Sequence, residues 1–323
     1  MNIAILGIGH IAEKMAAAIS GLDDNYKPYA AASRSIENAT RFAKKWRFEK
    51  SYGSYKDLLD DENIDLVYIA TPHSFHYEQA LMCLNAGKNI LVEKAFTANY
   101  FQAKEILDIS KSKKLLAAEA TWTRYMPSRY ILNELIESRI IGDAISVTAS
   151  LCYPIENIKR LRDPSLAGGT LLDLGIYPLN FSSMIFGNKI KSLNGNCIKL
   201  ETGVDAQESV SIEYENGSFA SLFSSIRTPG DRNGVIYGTK GYITVQNINN
   251  PEIIRVYNSD HEMVKEIFSP SQINGYEYEL MACHDAIMNG ESECKDMPHS
   301  ETLEIMRQMD YLRDLWGIKY PFE

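Results

Sequence analysis

The sequence lacks the features that would tie it to a membrane, a disulfide scaffold or a nucleic acid. No apolar stretch in its 323 residues approaches the roughly 18 needed to span a bilayer. Five cysteines (Cys83, Cys152, Cys197, Cys283 and Cys294) are odd in number, far apart and without a C-x-x-C pair, so reduced thiols are expected. Lysine and arginine total 33 against 42 aspartates and glutamates, a formal net charge of −9. The basic residues are scattered, which argues against a nucleic-acid partner and makes small molecules the expected one. His73 and His76 have no third ligand at metal-binding spacing, so no metal is expected. Repeats and low-complexity segments are missing. No signal peptide fits ahead of a strand that starts at residue 2, and the cytoplasm is the expected location.

What is present begins at once. A chain of this length with 45% hydrophobic residues can fill two cores. Its opening, MNIAILGIGHIA, is an apolar strand followed by Gly7, Gly9 and Ala12 in the pattern G-x-G-x-x-A. Glycines there let the backbone approach a pyrophosphate, and the helix that follows offers unpaired N–H groups. The same spacing also occurs in ordinary tight turns, so the rest of the chain must decide.

Strand and helix signals then alternate. Helices are predicted over 11–20, 36–46, 76–86 and 99–110, and strands over 29–33, 64–70, 89–93 and 115–119. This alternation predicts a doubly wound parallel sheet, an α/β Rossmann domain over 1–121, with its ligand crevice at the strand C-termini. After Trp122 the pattern changes. Helices over 127–137 and 170–186, strands at 144–153, 208–214, 218–224, 235–238 and 242–245, and helices over 276–288 and 301–315 predict an α+β domain over 122–323. Glu215-Asn216-Gly217 and Lys240-Gly241 are hairpin signals for a large, mainly antiparallel sheet. Its uncovered face suits a homodimer or higher homo-oligomer.

Four stretches carry chemistry. An NAD site usually places a carboxylate about twenty residues beyond the glycines, but Ser33-Arg34-Ser35 stands here. An arginine flanked by hydroxyls suits the 2′-phosphate of NADP, and the alternative is a surface arginine between two helix-capping serines. Thr71-Pro72-His73-Ser74-Phe75-His76 leaves the fourth strand, where His73 and His76 either contact nicotinamide ribose or substrate, or cap a helix. Glu93-Lys94-Ala95 ends the fifth strand, and a lysine there can donate to a substrate oxygen and lower a neighbouring acid's pKa. In the second domain Asp173 and Tyr177 are four apart among apolar neighbours. They read as a general acid/base phenol with a polar helper, or as a core tyrosine bonded to an aspartate. A basic loop with Lys159, Arg160 and Arg162 reads as solvated. Tyr52 and Lys56 have dehydrogenase-like Tyr-x-x-x-Lys spacing, but Gly53-Ser54 between them marks a turn.

The order GIGHIA, TPHSFH, EK, WTRYMP and GGTLLDLGIYPLN resembles the glucose-fructose oxidoreductase and inositol dehydrogenase family over nearly the whole chain. Trp122-Thr123-Arg124, Ser33-Arg34 and Tyr177 place the resemblance in the branch of dimeric dihydrodiol dehydrogenase and glucose-fructose oxidoreductase. The resemblance implies an NADP-dependent oxidoreductase, with NAD the lesser alternative, acting on a secondary alcohol or carbonyl of a sugar, polyol or cyclic trans-diol. It makes Lys94, Tyr177 and Asp173 the catalytic set. The expected cofactor-binding set is Gly7, Gly9, His10, Ile11, Ser33, Arg34, Thr71, Pro72, His73, His76, Glu93, Lys94 and Arg124. Ala95 departs from the family's proline. The competing expectation is a non-catalytic NADP-binding sensor on the same fold.

Overall fold

The computed structural model describes all residues, Met1–Glu323. Contacts divide the chain into two units, Met1–Tyr125 with Gln272–Met306, and Met126–Ser271 with Arg307–Glu323.

The first unit is built on β1 (Asn2–Leu6), α1 (His10–Gly21), β2 (Lys27–Ala32), α2 (Ile36–Trp46), β3 (Lys50–Tyr52), α3 (Tyr55–Leu59), β4 (Leu66–Ile69), α4 (His73–Asn85), β5 (Asn89–Glu93), α5 (Tyr100–Lys113) and β6 (Ala117–Ala120). All six strands are parallel, in the order β3-β2-β1-β4-β5-β6. That is the expected doubly wound sheet. β1 and β4 are apolar throughout because helices cover both faces of such a sheet. The helices follow local chemistry. Ser35 caps α2 by accepting from the Asn38 amide, Glu37 lies in its first turn, and Lys44 and Lys45 lie in its last, complementing the helix dipole. α4 starts three residues ahead of the expected 76, because Pro72 fits the N-cap and puts His73 on the first turn.

The two units are not single stretches of chain. Residues 272–306 return to the first unit, with α9 (Glu277–Met288) packing Leu280, Cys283 and Ala286 into the core of α1. The physical reason is the exposed edge of β6. The Ala117 amide donates to Ser292 O at 3.1 Å and its carbonyl meets His299 Nε2 at 2.9 Å, so the returning segment satisfies an edge that would otherwise be open.

The second unit comprises α6 (Pro127–Glu137), β7 (Ala144–Cys152), α7 (Lys159–Arg162), α8 (Ile176–Phe186), β8 (Ile190–Lys199), β9 (Asp205–Tyr214), β10 (Phe219–Ser225), β11 (Gly234–Gly238), β12 (Gly241–Gln246), β13 (Ile253–Asn258) and β14 (Met263–Phe268). The last helix, His299–Trp316, begins in the first unit and ends in the second. The sheet order is β14-β13-β12-β11-β7-β10-β9-β8, antiparallel except for β7 against β10. Alternation is strict where a face is buried: Val147, Ala149 and Leu151 point inward, and Ser146, Thr148 and Ser150 point outward. The predicted helix over 170–186 is two elements, a π-helical turn at Leu171–Gly175 and then α8. No helix of the protein is long and apolar enough to cross a membrane.

Candidate active site

In the first unit the opening loop is shaped for a phosphate. Gly7 has φ +91°, and a Cβ there would lie 2.7 Å from Thr71 Cγ2 and 3.2 Å from Ala70 O, so glycine is required. Gly9 is exposed at the N-cap of α1, which carries no side-chain cap, and the nearest atom to a Cβ there would be Ala70 O at 4.0 Å. The first amides of α1 are therefore open to an anion. His10 is exposed and Ile11 half-buried beside them, while Ala12 is buried. At the end of β2 the Ser33 amide donates to Tyr52 O at 3.2 Å, Ser35 caps α2, and Arg34 is exposed. Arg34 lies near Tyr55, whose phenol is pushed up by burial and partly drawn back by the guanidinium. These features fit a dinucleotide, and an arginine in place of a carboxylate fits one with a 2′-phosphate.

At the ends of β4 and β5 the side chains bond within the unit. Thr71 and Pro72 are half-buried, with Thr71 Oγ1 donating to Gln79 Oε1 at 2.6 Å. His76 is wholly buried, with Nε2 2.8 Å from Thr71 O and Nδ1 3.0 Å from Ala95 O. Burial lowers its pKa, and a neutral ring can donate to only one of those carbonyls. The buried His73 ring lies edge-on to it at 5.7 Å. Lys94 is half-buried immediately after β5, and its peptide bond to Ala95 is cis. Glu93 is buried and accepts from the Tyr68 hydroxyl. Arg124 is 2% exposed, and its Nη2 donates to Glu301 Oε2 at 2.7 Å.

In the second unit Asp173 and Tyr177 are both buried, the first in the π turn and the second in α8. Asp173 Oδ1 accepts from Arg160 Nη1 at 2.9 Å. Arg162 reaches Glu156 at 3.3 Å and also pairs with Glu201, so the basic loop is laced by ion pairs and is not simply solvated.

Residues 1–120 match the family of oxidoreductases with an NAD-binding Rossmann fold, and residues 131–244 match the GFO/IDH/MocA C-terminal domain. The chain belongs to the GFO/IDH/MocA oxidoreductase family. Among its relatives, the trans-1,2-dihydrobenzene-1,2-diol dehydrogenase of Mus musculus is 31% identical over 98% of this chain and 97% of that protein, and the Homo sapiens one is 29% identical over 98% and 97%. Of solved structures, KijD10, a 3-ketoreductase from Actinomadura kijaniata in complex with NADP and TDP-benzene, superposes with a TM-score of 0.89 at 20% identity over 97% of both chains. Levoglucosan dehydrogenase in complex with NADH superposes with a TM-score of 0.87 at 19% identity over 98% of this chain and 97% of that one. At such identities these superpositions speak for the fold.

Three of the expected cofactor residues also bond within the first unit. Both ring nitrogens of His76 meet carbonyls inside the unit, so it ties the end of β4 to the backbone beside Lys94. Glu93 is turned into the core toward Tyr68. Arg124 is drawn onto Glu301 within its own unit, where it holds the start of the last helix. Sequence reasoning also missed two acidic positions. Glu119 is a buried carboxyl in β6 whose oxygens have no hydrogen-bond partner, and Asp205 accepts from the Leu171 amide. A glutamate inside the apolar run LLAAEA was a visible signal for the first. Nothing local marked the second.

Proposed function

We propose that this family member is an NADP-dependent dehydrogenase acting on a secondary alcohol of a sugar, polyol or cyclic trans-diol, or reducing the matching carbonyl. The observation that carries the reading is a pair of buried polar side chains, Asp173 and Tyr177, on an otherwise apolar segment. The names of the full-length relatives, diol dehydrogenases, support the substrate class. The exposed Arg34 beside Ser33, with no carboxylate at the end of β2, supports NADP over NAD. When bound, the nicotinamide supplies the hydride acceptor or donor. Tyr177 exchanges the hydroxyl proton, the Lys94 ammonium stabilises the developing alkoxide, and Asp173 orients the substrate ring. Gly7, Gly9, His10 and Ile11 line the phosphate loop, and Thr71, Pro72 and His73 flank the nicotinamide end.

The second unit serves substrate binding and self-association. One row crosses its outer sheet face through Phe219, Ser146, Tyr237, Tyr242 and Tyr257, with Tyr242 stacked on Tyr257 at 4.8 Å. An aromatic row of this kind supports a homo-oligomer, which light scattering would count. Five free cysteines support a reducing, cytoplasmic location.

The test is an NADPH absorbance assay with NADP⁺ and a panel of sugars, polyols and trans-diols that includes trans-1,2-dihydrobenzene-1,2-diol. Lys94→Met and Tyr177→Phe should each cut turnover at least about a hundredfold while NADP binding persists. Unchanged turnover in both would sink the assignment. Silence of the wild type across the panel, with tight NADP binding, would favour a sensor.

A further inference from the structure

Beneath the segment that carries Asp173 and Tyr177 lie two buried carboxyl groups that the proposed chemistry does not use. Asp205 opens β9 and is 0% exposed, and Glu208, three residues on, is 3% exposed. Asp205 Oδ2 accepts from the Leu171 amide at 2.6 Å, and its backbone carbonyl accepts from Thr170 Oγ1 at 3.2 Å. Two glycines make room for the acids. A Cβ at Gly169 would lie 2.3 Å from Asp205 Oδ1, and one at Gly175 would lie 1.9 Å from Glu208 Oε1. Asp205 therefore holds the turn at the Leu171 amide, and Glu208 packs closely against Gly175.

The two acids are within hydrogen-bonding reach of each other, and burial pushes both upward, Glu208 further because it also faces the Asp205 charge. Neither Asp205 Oδ1 nor Glu208 Oε2 meets an N–H or hydroxyl donor, although Ser224 also lies beside Glu208. A single retained proton resolves this: neutral Glu208 donates to ionised Asp205, which in turn accepts from the Leu171 amide. The segment held in this way is the π turn Leu171–Gly175, the wider i→i+5 turn that departs from the expected continuous helix. Asp173 lies inside that turn and Tyr177 immediately beyond it, so its geometry sets the angle at which each presents its polar atoms.

We infer that Asp205 and Glu208 are positioning residues for the reaction: as a carboxyl–carboxylate pair they fix the π turn and so aim Asp173 and Tyr177. This inference rests on the proposed role of Tyr177. Hydrogen–deuterium exchange on the intact protein tests it without any substrate. In Glu208→Leu, which removes the donor to Asp205, and in Asp205→Ala, amides across residues 169–177 should exchange at least about tenfold faster while the first unit is unchanged. Glu208→Gln, whose amide can still donate to Asp205, should keep wild-type exchange. In the NADPH assay Glu208→Leu should lose at least about tenfold in kcat with KM for NADP unchanged, and Glu208→Gln should stay within about threefold. Gly175→Ala deletes no polar group but displaces Glu208, and it should lower kcat as Glu208→Leu does. Wild-type exchange in Glu208→Leu, wild-type kcat in Gly175→Ala, or a Glu208→Gln as impaired as Glu208→Leu would overturn the inference. Full turnover in Tyr177→Phe would instead remove the role assigned to Tyr177, leaving the exchange result to decide on the positioning of the turn.

Discussion

Both units bury carboxyl groups, and they treat them differently. In the first, Glu119 and Glu279 lie wholly inside with no hydrogen-bond partner on either oxygen, and burial raises both. In the second, Asp205 takes the Leu171 amide and Asp173 takes the Arg160 guanidinium. Glu119 and Glu279 are tolerated by staying protonated, whereas Asp205 holds a backbone amide and Asp173 a cation. At the ends of β4 and β5 backbone is held by a neutral ring, since His76 sits between the Thr71 and Ala95 carbonyls. Under the proposed function, the cofactor meets a loop set by backbone, and the substrate meets side chains that substitution can change.

The strongest way to break that contrast is His76→Ala. Removing a fully buried ring that meets two carbonyls should cost about 3 kcal/mol of stability, through the cavity and the lost hydrogen bond. Turnover should fall with it, because the Ala95 carbonyl adjoins Lys94. A direct cofactor contact predicts the opposite pattern, a raised KM for NADP at wild-type stability. Urea denaturation beside steady-state kinetics separates the two, and wild-type stability would return His76 to the ligand.

The same contrast explains what was legible in the sequence. The parallel sheet was readable because β1 and β4 are apolar on both faces, and the β9–β10 hairpin because Asn216-Gly217 sits between alternating runs. The lysine after β5 and the Asp173–Tyr177 pair stood out because polar residues interrupt apolar segments. What escaped depends on contacts remote in sequence. The return of residues 272–306 turns on Ser292 and His299 meeting Ala117, and the π turn on Asp205, 34 residues beyond Leu171. His76 shows the limit of type and position together. A histidine after a strand end suits a ligand and a carbonyl equally, and the two carbonyl contacts appear only in the fold.

Glu119 sharpens the account of unpartnered acids. Burial raises its pKa from 4.5 to about 7, opposed in part by the Arg124 charge. A raised folded-state pKa means the folded protein holds the proton more tightly. The corresponding stability is complete below about pH 4.5 and is lost as pH rises through about 7, on the order of 3 kcal/mol in all. Glu119→Gln cannot titrate, so its stability should fall less steeply than the wild type's between pH 5 and about 8 and should exceed it at the upper end. Denaturation curves across that range check this, and parallel slopes would mean that Glu119 is solvated and ionised throughout.

Arg34 carries the smallest expected effect and bears on where the contrast stops. It is an exposed side chain in the unit otherwise set by backbone, and it stands where a carboxylate would serve NAD. If its guanidinium pairs with a 2′-phosphate at the surface, the interaction is charge-assisted but open to salt. Arg34→Ala should then raise KM for NADP about tenfold, leave KM for NAD within about twofold, and abolish most of the salt dependence of the NADP value. An equal rise for both cofactors would make Arg34 a support of the α2 entry, and choice between them would then lie elsewhere in the first unit.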